Sequence, residues 1–177
     1  ITGSTDGTLR VLDISRPVRV ACGRTRDAAR PSVATDAISI LCCVPETAQS
    51  GINGIAVRRV ADAVRVVTAN DDQSISIVNF GAGLCSVLGR VRLDGMHGAQ
   101  ASSVAFVDDR RFFSVGLDER LNLWVLDSDD DESPRVRLER AVMCDIADVQ
   151  SVAVTPNGLA VAVGNGLTSV DVGAMQA

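Results

Sequence analysis

Short runs of alternating apolar and polar residues, separated by turn residues, recur along the whole chain. The clearest lie between residues 97 and 127, where strands are predicted at 101–107, 111–117 and 120–126. Aspartates at 108–109 and the acidic pair at 118–119 occupy the turns between these strands. The pattern therefore predicts antiparallel hairpins and an all-β fold.

Similar groups of strands precede and follow this stretch. The preceding group is predicted at 52–57, 64–69, 74–80 and 85–93. The following group is predicted at 149–155, 159–163 and 167–172, with the hairpin signal Asn-Gly at 165–166. Residues 1–14 correspond to the second half of a further unit, whose outer strand is predicted at 38–44. The chain thus divides into four units, spanning residues 1–44, 45–93, 94–143 and 144–177.

The spacing of equivalent positions sets the length of the repeat. Leu12, Val78, Trp124 and Val170 occupy the same place in the four third strands, and the intervals between them are 66, 46 and 46 residues. Repeats of about 40–45 residues are typical of β-propeller blades. The longer first interval contains an insertion at 15–37. We therefore expect about four blades of a larger, seven-bladed ring, the last lacking its outer strand, in a chain that is a piece of something longer.

Four polar residues of the clearest unit resemble the WD40 repeat. They are His97, Ser114, Asp118 and Trp124, in the order and spacing of that repeat. In such a relay the buried indole N–H donates to the serine hydroxyl, the hydroxyl bonds the imidazole, and the turn aspartate orients the imidazole. The other units have Ala48 and Asp145 at the histidine position, so they are expected to depend on packing alone.

The same serine, histidine and aspartate would suit a catalytic triad, but their setting favours a structural role. No G-x-S-x-G turn surrounds Ser114, which lies between Phe113 and Val115 in a predicted strand. We therefore predict that the chain is not an enzyme. The glycines at 81 and 83 lack the third glycine of a dinucleotide-binding loop and indicate a strand connection. We expect no cofactor and no small-molecule substrate.

Composition narrows the classes of function. The chain is 46% hydrophobic with a formal net charge of −5, which predicts a folded core and disfavours a free-standing nucleic-acid binder. Lysine is absent, so neither a Schiff-base nor a phosphate-loop lysine exists. One histidine and five cysteines without paired spacing predict mostly buried free thiols and no metal site. No secretory signal, glycosylation sequon or long apolar run is present, so we expect a cytoplasmic protein without membrane contact.

Three further features are candidates for binding or modification. Thr5, Asp71 and Leu117 each precede a turn aspartate and are expected on one rim, by analogy with other propellers. The acidic run at 127–134 predicts a solvated loop, in which Ser128 and Ser133 are candidate phosphorylation sites. The insertion is rich in guanidinium groups, which can bind phosphate or a partner, although a tolerated surface loop is the simpler interpretation. Its arginines are Arg16, Arg19, Arg24, Arg26 and Arg30.

The order of features resembles the C-terminal region of the WD repeat-containing protein 6 family. The resemblance rests on SGIN at 50–53, the S-x-x-x-D-x-R-L-x-x-W run from Ser114 to Trp124, DIAD at 145–148 and GNGL at 164–167. It implies a non-catalytic scaffold for a separate tRNA methyltransferase, which adds a 2′-O-methyl group to the anticodon wobble ribose. Under this hypothesis tRNA is an indirect partner, and the insertion is the candidate for contact if the chain touches RNA at all. The alternative is a general protein-interaction adaptor in trafficking, signalling or ubiquitin ligation.

Overall fold

Antiparallel sheets make up the structure, a computed structural model that describes residues 1–14, 39–127 and 131–173. The described residues form strands and no helix. The strands are β1 (Thr2–Gly3), β2 (Leu9–Asp13), β3 (Ser39–Val44), β4 (Ile52–Val60), β5 (Ala63–Asn70), β6 (Ile75–Gly81), β7 (Val87–Leu93), β8 (Ala101–Phe106), β9 (Arg111–Gly116), β10 (Arg120–Leu126), β11 (Val136–Met143), β12 (Ser151–Val154), β13 (Leu159–Gly164) and β14 (Gly166–Asp171). The predicted all-β class is confirmed.

The strands are grouped into four sheets in chain order. The first sheet is β1-β2-β3, the second β4-β5-β6-β7, the third β8-β9-β10-β11 and the fourth β12-β13-β14. Every pair is antiparallel, and sequential strands are neighbours. The strands predicted between 52 and 172 all form, with ends that differ by at most three residues. The strand predicted at 38–44 is described from Ser39 onward.

The middle strands of the second and third sheets are buried on both faces because each of these two sheets lies between two neighbouring sheets. In β5, Val64 and Val66 face the first sheet, whereas Val67 and Ala69 face the third. A period of two residues sends successive side chains to opposite faces of a strand, so a strand with neighbours on both sides is apolar throughout. Outer strands such as β11 are mostly exposed and retain polar residues.

Three hydrophobic cores join the successive sheets. The core between the second and third sheets contains Phe112 and Trp124, whose rings stack with centroids 6.3 Å apart. Phe113 and Leu123 contribute to the core between the third and fourth sheets. The first strands β4, β8 and β12 lie side by side, so the sheets follow one another around a common edge. No core among the described residues connects the fourth sheet back to the first.

Candidate functional site: the buried relay and the acidic rim

The third sheet brings together His97, Ser114, Asp118 and Trp124. Trp124 Nε1 donates to Ser114 Oγ at 2.8 Å, and Ser114 Oγ lies 2.7 Å from His97 Nε2. His97 Nδ1 lies 2.9 Å from Asp118 Oδ1. The indole can only donate, so the serine hydrogen is directed at Nε2 and the imidazole proton lies on Nδ1. The four side chains therefore form one continuous hydrogen-bonded chain.

Local backbone groups hold the aspartate end of this relay. Gly98 N donates to Asp118 Oδ2 at 2.8 Å, and Arg120 N lies 3.3 Å from Oδ1. Burial acts to raise the pKa of Asp118, but the Gly98 N–H and the bond from His97 outweigh it and hold the pKa below its ordinary value. Gly116 is required beside the relay, because a methyl group there would lie 2.7 Å from His97 Nδ1.

The indole, hydroxyl and imidazole of the relay are closed to solvent. His97 and Trp124 are each 3% exposed, and Ser114 is 0% exposed. A serine nucleophile must reach its substrate, whereas this hydroxyl is enclosed between two sheets. The arrangement can orient side chains and satisfy buried polar atoms, and its serine hydroxyl is not exposed.

The equivalent place in the second sheet lacks the relay but has the turn aspartate. Gln49 N donates to Asp72 Oδ2 at 2.6 Å, as Gly98 does to Asp118. Thr68 occupies the position of the relay serine, and its hydroxyl is buried without a partner among the described residues. Val78 replaces the indole, and it lines a crevice of about 190 Å³ between the first and second sheets.

Packing is not the only support of the second sheet, contrary to the expectation for units without a histidine. Asn70 Nδ2 donates to Ser74 Oγ at 2.9 Å and to Ser76 Oγ at 3.1 Å, and Ser76 in turn bonds the Thr47 carbonyl. Asn70 and Ser74 are fully buried. These short polar side chains thus replace part of the lost relay.

Arg65 forms a second buried polar centre that the sequence analysis missed. This residue of β5 is 3% exposed. Its Nε donates to Asn79 Oδ1 at 3.0 Å, one terminal nitrogen donates to the Asp109 carbonyl at 2.8 Å, and the other lies 3.1 Å from Asp131 Oδ1. The guanidinium therefore ties the second sheet to two loops of the third. The sequence signal for this centre was an arginine between Val64 and Val66 in an otherwise apolar strand. A charged side chain buried in such a strand requires a hydrogen-bonding partner.

The acidic run at 127–134 was expected to be a solvated loop, but part of it packs against the second sheet. Asp131 bonds Arg65, and its carbonyl accepts a bond from Asn79 Nδ2 at 3.0 Å. Pro134 is buried, whereas Glu132 and Ser133 are exposed. Ser128 lies outside the described residues. The buried arginine thus anchors the described part of this acidic segment against the second sheet.

The predicted rim residues are exposed and lie at one edge of the sheets. Thr5 and Asp71 flank Gly51, where a methyl group would lie 3.6 Å from Thr5 Cα and 3.7 Å from Asp71 Oδ2. Asn53 Nδ2 donates to Asp71 Oδ1 at 3.2 Å, and Asn53 and Leu117 line one cavity of about 380 Å³. The structure therefore brings Thr5, Asp71 and Leu117 to a common edge.

This edge, which we call the acidic rim, consists of the turns between second and third strands and the connections between sheets. Its segments are 3–8, 45–51, 70–74, 94–100, 116–119, 144–150 and 164–166. Together they contain nine aspartate and glutamate residues and no arginine. Arginines on the flanking strands neutralise part of this charge, as Arg92 does by pairing with Asp72 at 3.0 Å and Asp94 at 2.8 Å.

Arginine and aspartate alternate at the opposite edge. A cleft of about 570 Å³ there is lined by Arg58, Arg110, Arg111 and Arg137, together with three aspartates. Arg58 pairs with Asp109 at 2.7 Å, and the Arg111 and Arg137 guanidinium groups also pair with aspartates. The cleft therefore carries both positive and negative side chains, and most of its arginines are paired with aspartates. The insertion arginines, Arg16, Arg19, Arg24, Arg26 and Arg30, lie outside the described residues.

The cysteines differ from the expectation of mostly buried thiols. Cys42, Cys43, Cys85 and Cys144 are free, and of these four only Cys144 is buried. Burial raises the pKa of the Cys144 thiol, and the nearby carboxylates of Asp145 and Asp118 act in the same direction.

Residues 1–14, 39–127 and 131–173 contain neither a candidate metal-binding cluster nor a candidate membrane-spanning helix. No group of three or more histidine, cysteine, aspartate or glutamate side chains is arranged there to hold a metal ion. None of these ranges contains a helix with the length and apolarity needed to cross a bilayer.

No protein-family model matches the sequence, and no curated protein matches it significantly.

Proposed function

We propose that the chain forms consecutive blades of a WD40 β-propeller and acts as a non-catalytic scaffold. The hydrogen-bonded chain from Trp124 through Ser114 and His97 to Asp118 carries the proposal, because its four residue types and spacing resemble the WD40 repeat. Four consecutive sheets with adjacent first strands support it. Hydrophobic cores between successive sheets, as neighbouring blades require, support it as well.

Burial of the relay supports a scaffold rather than an enzyme. The Ser114 hydroxyl is 0% exposed and is bonded to both the indole and the imidazole. In acyl transfer the base must take the proton of an accessible hydroxyl that attacks the substrate. Here the hydroxyl is occupied by structural bonds, and a tryptophan donor would compete with its nucleophilic role.

The preferred biological role is support of a tRNA methyltransferase that modifies the anticodon wobble ribose. This role rests on the resemblance of SGIN at 50–53, the relay unit, DIAD at 145–148 and GNGL at 164–167 to the WD repeat-containing protein 6 family. The methyltransferase would bind the methyl donor and perform the chemistry. This chain would position the enzyme and its tRNA, which lowers the entropic part of the barrier.

A general protein-interaction adaptor is the second candidate, and the distribution of charge favours it. The acidic rim repels phosphate, and three arginines of the opposite cleft are paired with aspartates. Direct RNA binding would therefore depend on the insertion arginines. Partner proteins need no such positive surface.

The two candidates are separated by identifying what the protein binds in the cytoplasm. The protein would be tagged and purified, its partners identified by mass spectrometry, and the 2′-O-methylated wobble nucleosides of tRNA quantified after its depletion. The scaffold hypothesis predicts co-purification of a tRNA methyltransferase and loss of wobble methylation. Partners unrelated to RNA, together with unchanged methylation, would support the adaptor.

A further inference from the structure

A polar cavity of about 380 Å³ opens in the acidic rim where the second, third and fourth sheets begin. Its lining residues are Asn53, Gln100, Ser102, Leu117, Asp148 and Gln150. They supply three carboxamides, one hydroxyl and one carboxylate, and none of them is cationic. The cavity is therefore rich in hydrogen-bond acceptors and has a negative wall.

The electrostatic surroundings favour a cation in this cavity. Asp148 is exposed, and Asn165 Nδ2 donates to its Oδ2 at 2.7 Å, which fixes the carboxylate at the cavity wall. Asp71 is bonded to Asn53 and adds a second negative charge nearby. Because the rim segments contain nine carboxylates and no arginine, they attract a positive group and repel a phosphate.

The arrangement of acceptors favours a guanidinium over an ammonium. Asn53 Nδ2 is committed to Asp71 Oδ1 and to the Ala101 carbonyl at 2.9 Å, so its Oδ1 is the atom that can accept a bond from a ligand. Ser102 Oγ is buried without a partner among the described residues, and rotation about χ1 would turn it toward a ligand. A guanidinium group presents five N–H donors in one plane, whereas an ammonium group is a compact charge with three N–H donors. The guanidinium can therefore bond more of these separated acceptors at once.

Leu117 supplies the apolar side of the cavity. Its side chain is 38% exposed at the tip of the hairpin between β9 and β10. The three methylene groups of an arginine can cover such a surface while the charged end reaches the acceptors. An isolated inorganic cation would leave this apolar wall uncovered.

We propose that this cavity receives an arginine side chain from a basic, extended segment of a protein partner. The inference rests on the proposed function of the chain as a protein-binding scaffold. Asp148 provides the charge, the carboxamides of Asn53, Gln100 and Gln150 provide neutral acceptors, and Leu117 contacts the aliphatic stem. Arginine recognition at this rim determines which partner segment docks.

Titration of the 177-residue chain with a blocked glycine-serine heptapeptide carrying one central arginine tests the proposal. Binding is followed by NMR shifts of the chain, and matched peptides carry citrulline or lysine in place of arginine. The arginine peptide should shift resonances of the lining residues. It should bind about tenfold more tightly than the citrulline peptide, which equals about 1.4 kcal/mol. Equal affinities for these two peptides would overturn the proposal, and equal affinity for the lysine peptide would overturn the guanidinium assignment.

Asp148→Asn removes the charge without changing the shape of the side chain. This variant should weaken arginine-peptide binding by about tenfold, since hydrogen bonds to charged groups are stronger than neutral ones. Asp145→Asn is the matched control, because Asp145 is exposed in the same connection but does not line the cavity. The control should bind within about twofold of the unaltered chain, which is below half a kcal/mol. Unchanged affinity in Asp148→Asn, or shifts of the lining residues by an RNA anticodon stem-loop, would contradict the proposal.

The result is separable from the proposed function. A tRNA methyltransferase that still co-purifies with Asp148→Asn would exclude the cavity as its docking point and leave the scaffold role intact. Arginine-peptide binding in the absence of any methyltransferase partner would instead retain the cavity and favour the adaptor.

Discussion

Trp124 links the polar relay to the hydrophobic core between the second and third sheets. Its indole nitrogen bonds Ser114, and its ring stacks on Phe112. The buried indole N–H needs a hydrogen-bond acceptor, which Ser114 provides. The indole ring also fills the space that Val78, at the equivalent position of the second sheet, leaves open. One side chain therefore specifies both the strand register and the contact between sheets.

Replacement of Trp124 by alanine tests this dual role. We expect a loss of about 3–5 kcal/mol in the free energy of unfolding, because a large buried ring is removed and a cavity remains. Chemical denaturation measures the change. Trp124→Phe serves as the control, since it keeps an aromatic ring and loses only the donor, and its loss should be about 1–2 kcal/mol. An unchanged midpoint in Trp124→Ala would refute the structural role of the relay.

Asp118 holds the other end of the relay, and its removal should have a smaller effect. Asp118→Ala leaves His97 Nδ1–H and Gly98 N–H without their acceptor. We expect the unfolding free energy to decrease by about 1–3 kcal/mol. Asp118→Asn retains an oxygen acceptor and should be less damaging. Equal stabilities of the alanine variant and the unaltered chain in urea denaturation would be inconsistent with this account.

At the scale of secondary-structure elements, hydrogen bonds to loops join the second and third sheets. Arg65 of β5 bonds the turn after β8 and the described part of the connection between β10 and β11. Gly89 of β7 allows the second contact, because a side chain there would collide with the carbonyl oxygens of Asp131 and Glu132. The second and third sheets are thus joined by a polar tie as well as by their shared core.

Arg65→Met should release this tie while preserving much of the side-chain volume. Asn79 and the Asp131 carboxylate would lose their partner, so we expect the unfolding free energy to fall by about 1–3 kcal/mol. Hydrogen exchange of residues 131–135 should accelerate. Arg59→Met, at an exposed position of β4, is the matched control and should leave exchange in this segment unchanged. Unaltered protection of residues 131–135 in Arg65→Met would rule out the tie.

Turn aspartates make the stability of the whole molecule dependent on pH. Partial burial opposes ionisation of Asp72 and Asp108, but hydrogen bonds from neighbouring N–H and hydroxyl groups and contacts with Arg92 and Arg111 lower their pKa below the ordinary 3.8. The pKa of exposed Asp6 is also lowered, chiefly by Thr8. A depressed pKa means that the unfolded chain binds protons more readily, so stability rises with pH in this range.

We therefore expect full electrostatic stabilisation above about pH 5 and a progressive loss as the pH falls below 4. Thermal unfolding between pH 2 and 7 measures this dependence. Asp72→Asn should flatten the acid limb, because one of the contributing carboxylates no longer titrates. A transition temperature that stays constant between pH 5 and 2 would contradict the assignment.

The fourth sheet leaves an apolar face uncovered at the end of the row of sheets. Leu159, Val163 and Leu167 are 37%, 44% and 66% exposed on the side that faces away from the third sheet. Exposed apolar surface beside an unpaired strand favours association. The faces between successive sheets are instead covered by the three hydrophobic cores.

Leu167→Lys tests this liability in the 177-residue chain. A charge on the exposed face should reduce concentration-dependent self-association, measured by light scattering, without a large change in unfolding free energy. Asn157→Lys, at an exposed position of the hairpin between β12 and β13, controls for the added charge alone. Identical association of the two variants would indicate that this face is not the adhesive surface.

The repeat pattern determined the strands and their order because both follow from local properties. The alternation of apolar and polar side chains marks a strand, and Asn-Gly or aspartate marks a turn, within a few neighbouring residues. The ends of β5, β10 and β13 were therefore predicted within two residues of those observed. The relay was predictable for a related reason. Its four residue types form a specific set at fixed spacing, and few other arrangements satisfy a buried indole donor.

Only the tertiary structure could decide which distant segments meet. Arg65 and Asp131 are far apart in the chain, and neither signals the other locally, yet adjacent sheets bring them to 3.1 Å. The cavity behind Leu117 likewise draws residues from three sheets, and its acceptor-rich lining is invisible in any single repeat. The sequence by itself thus determined the elements and their internal bonds, whereas packing between sheets decided the polar ties and the surfaces, because those depend on contacts that no local pattern records.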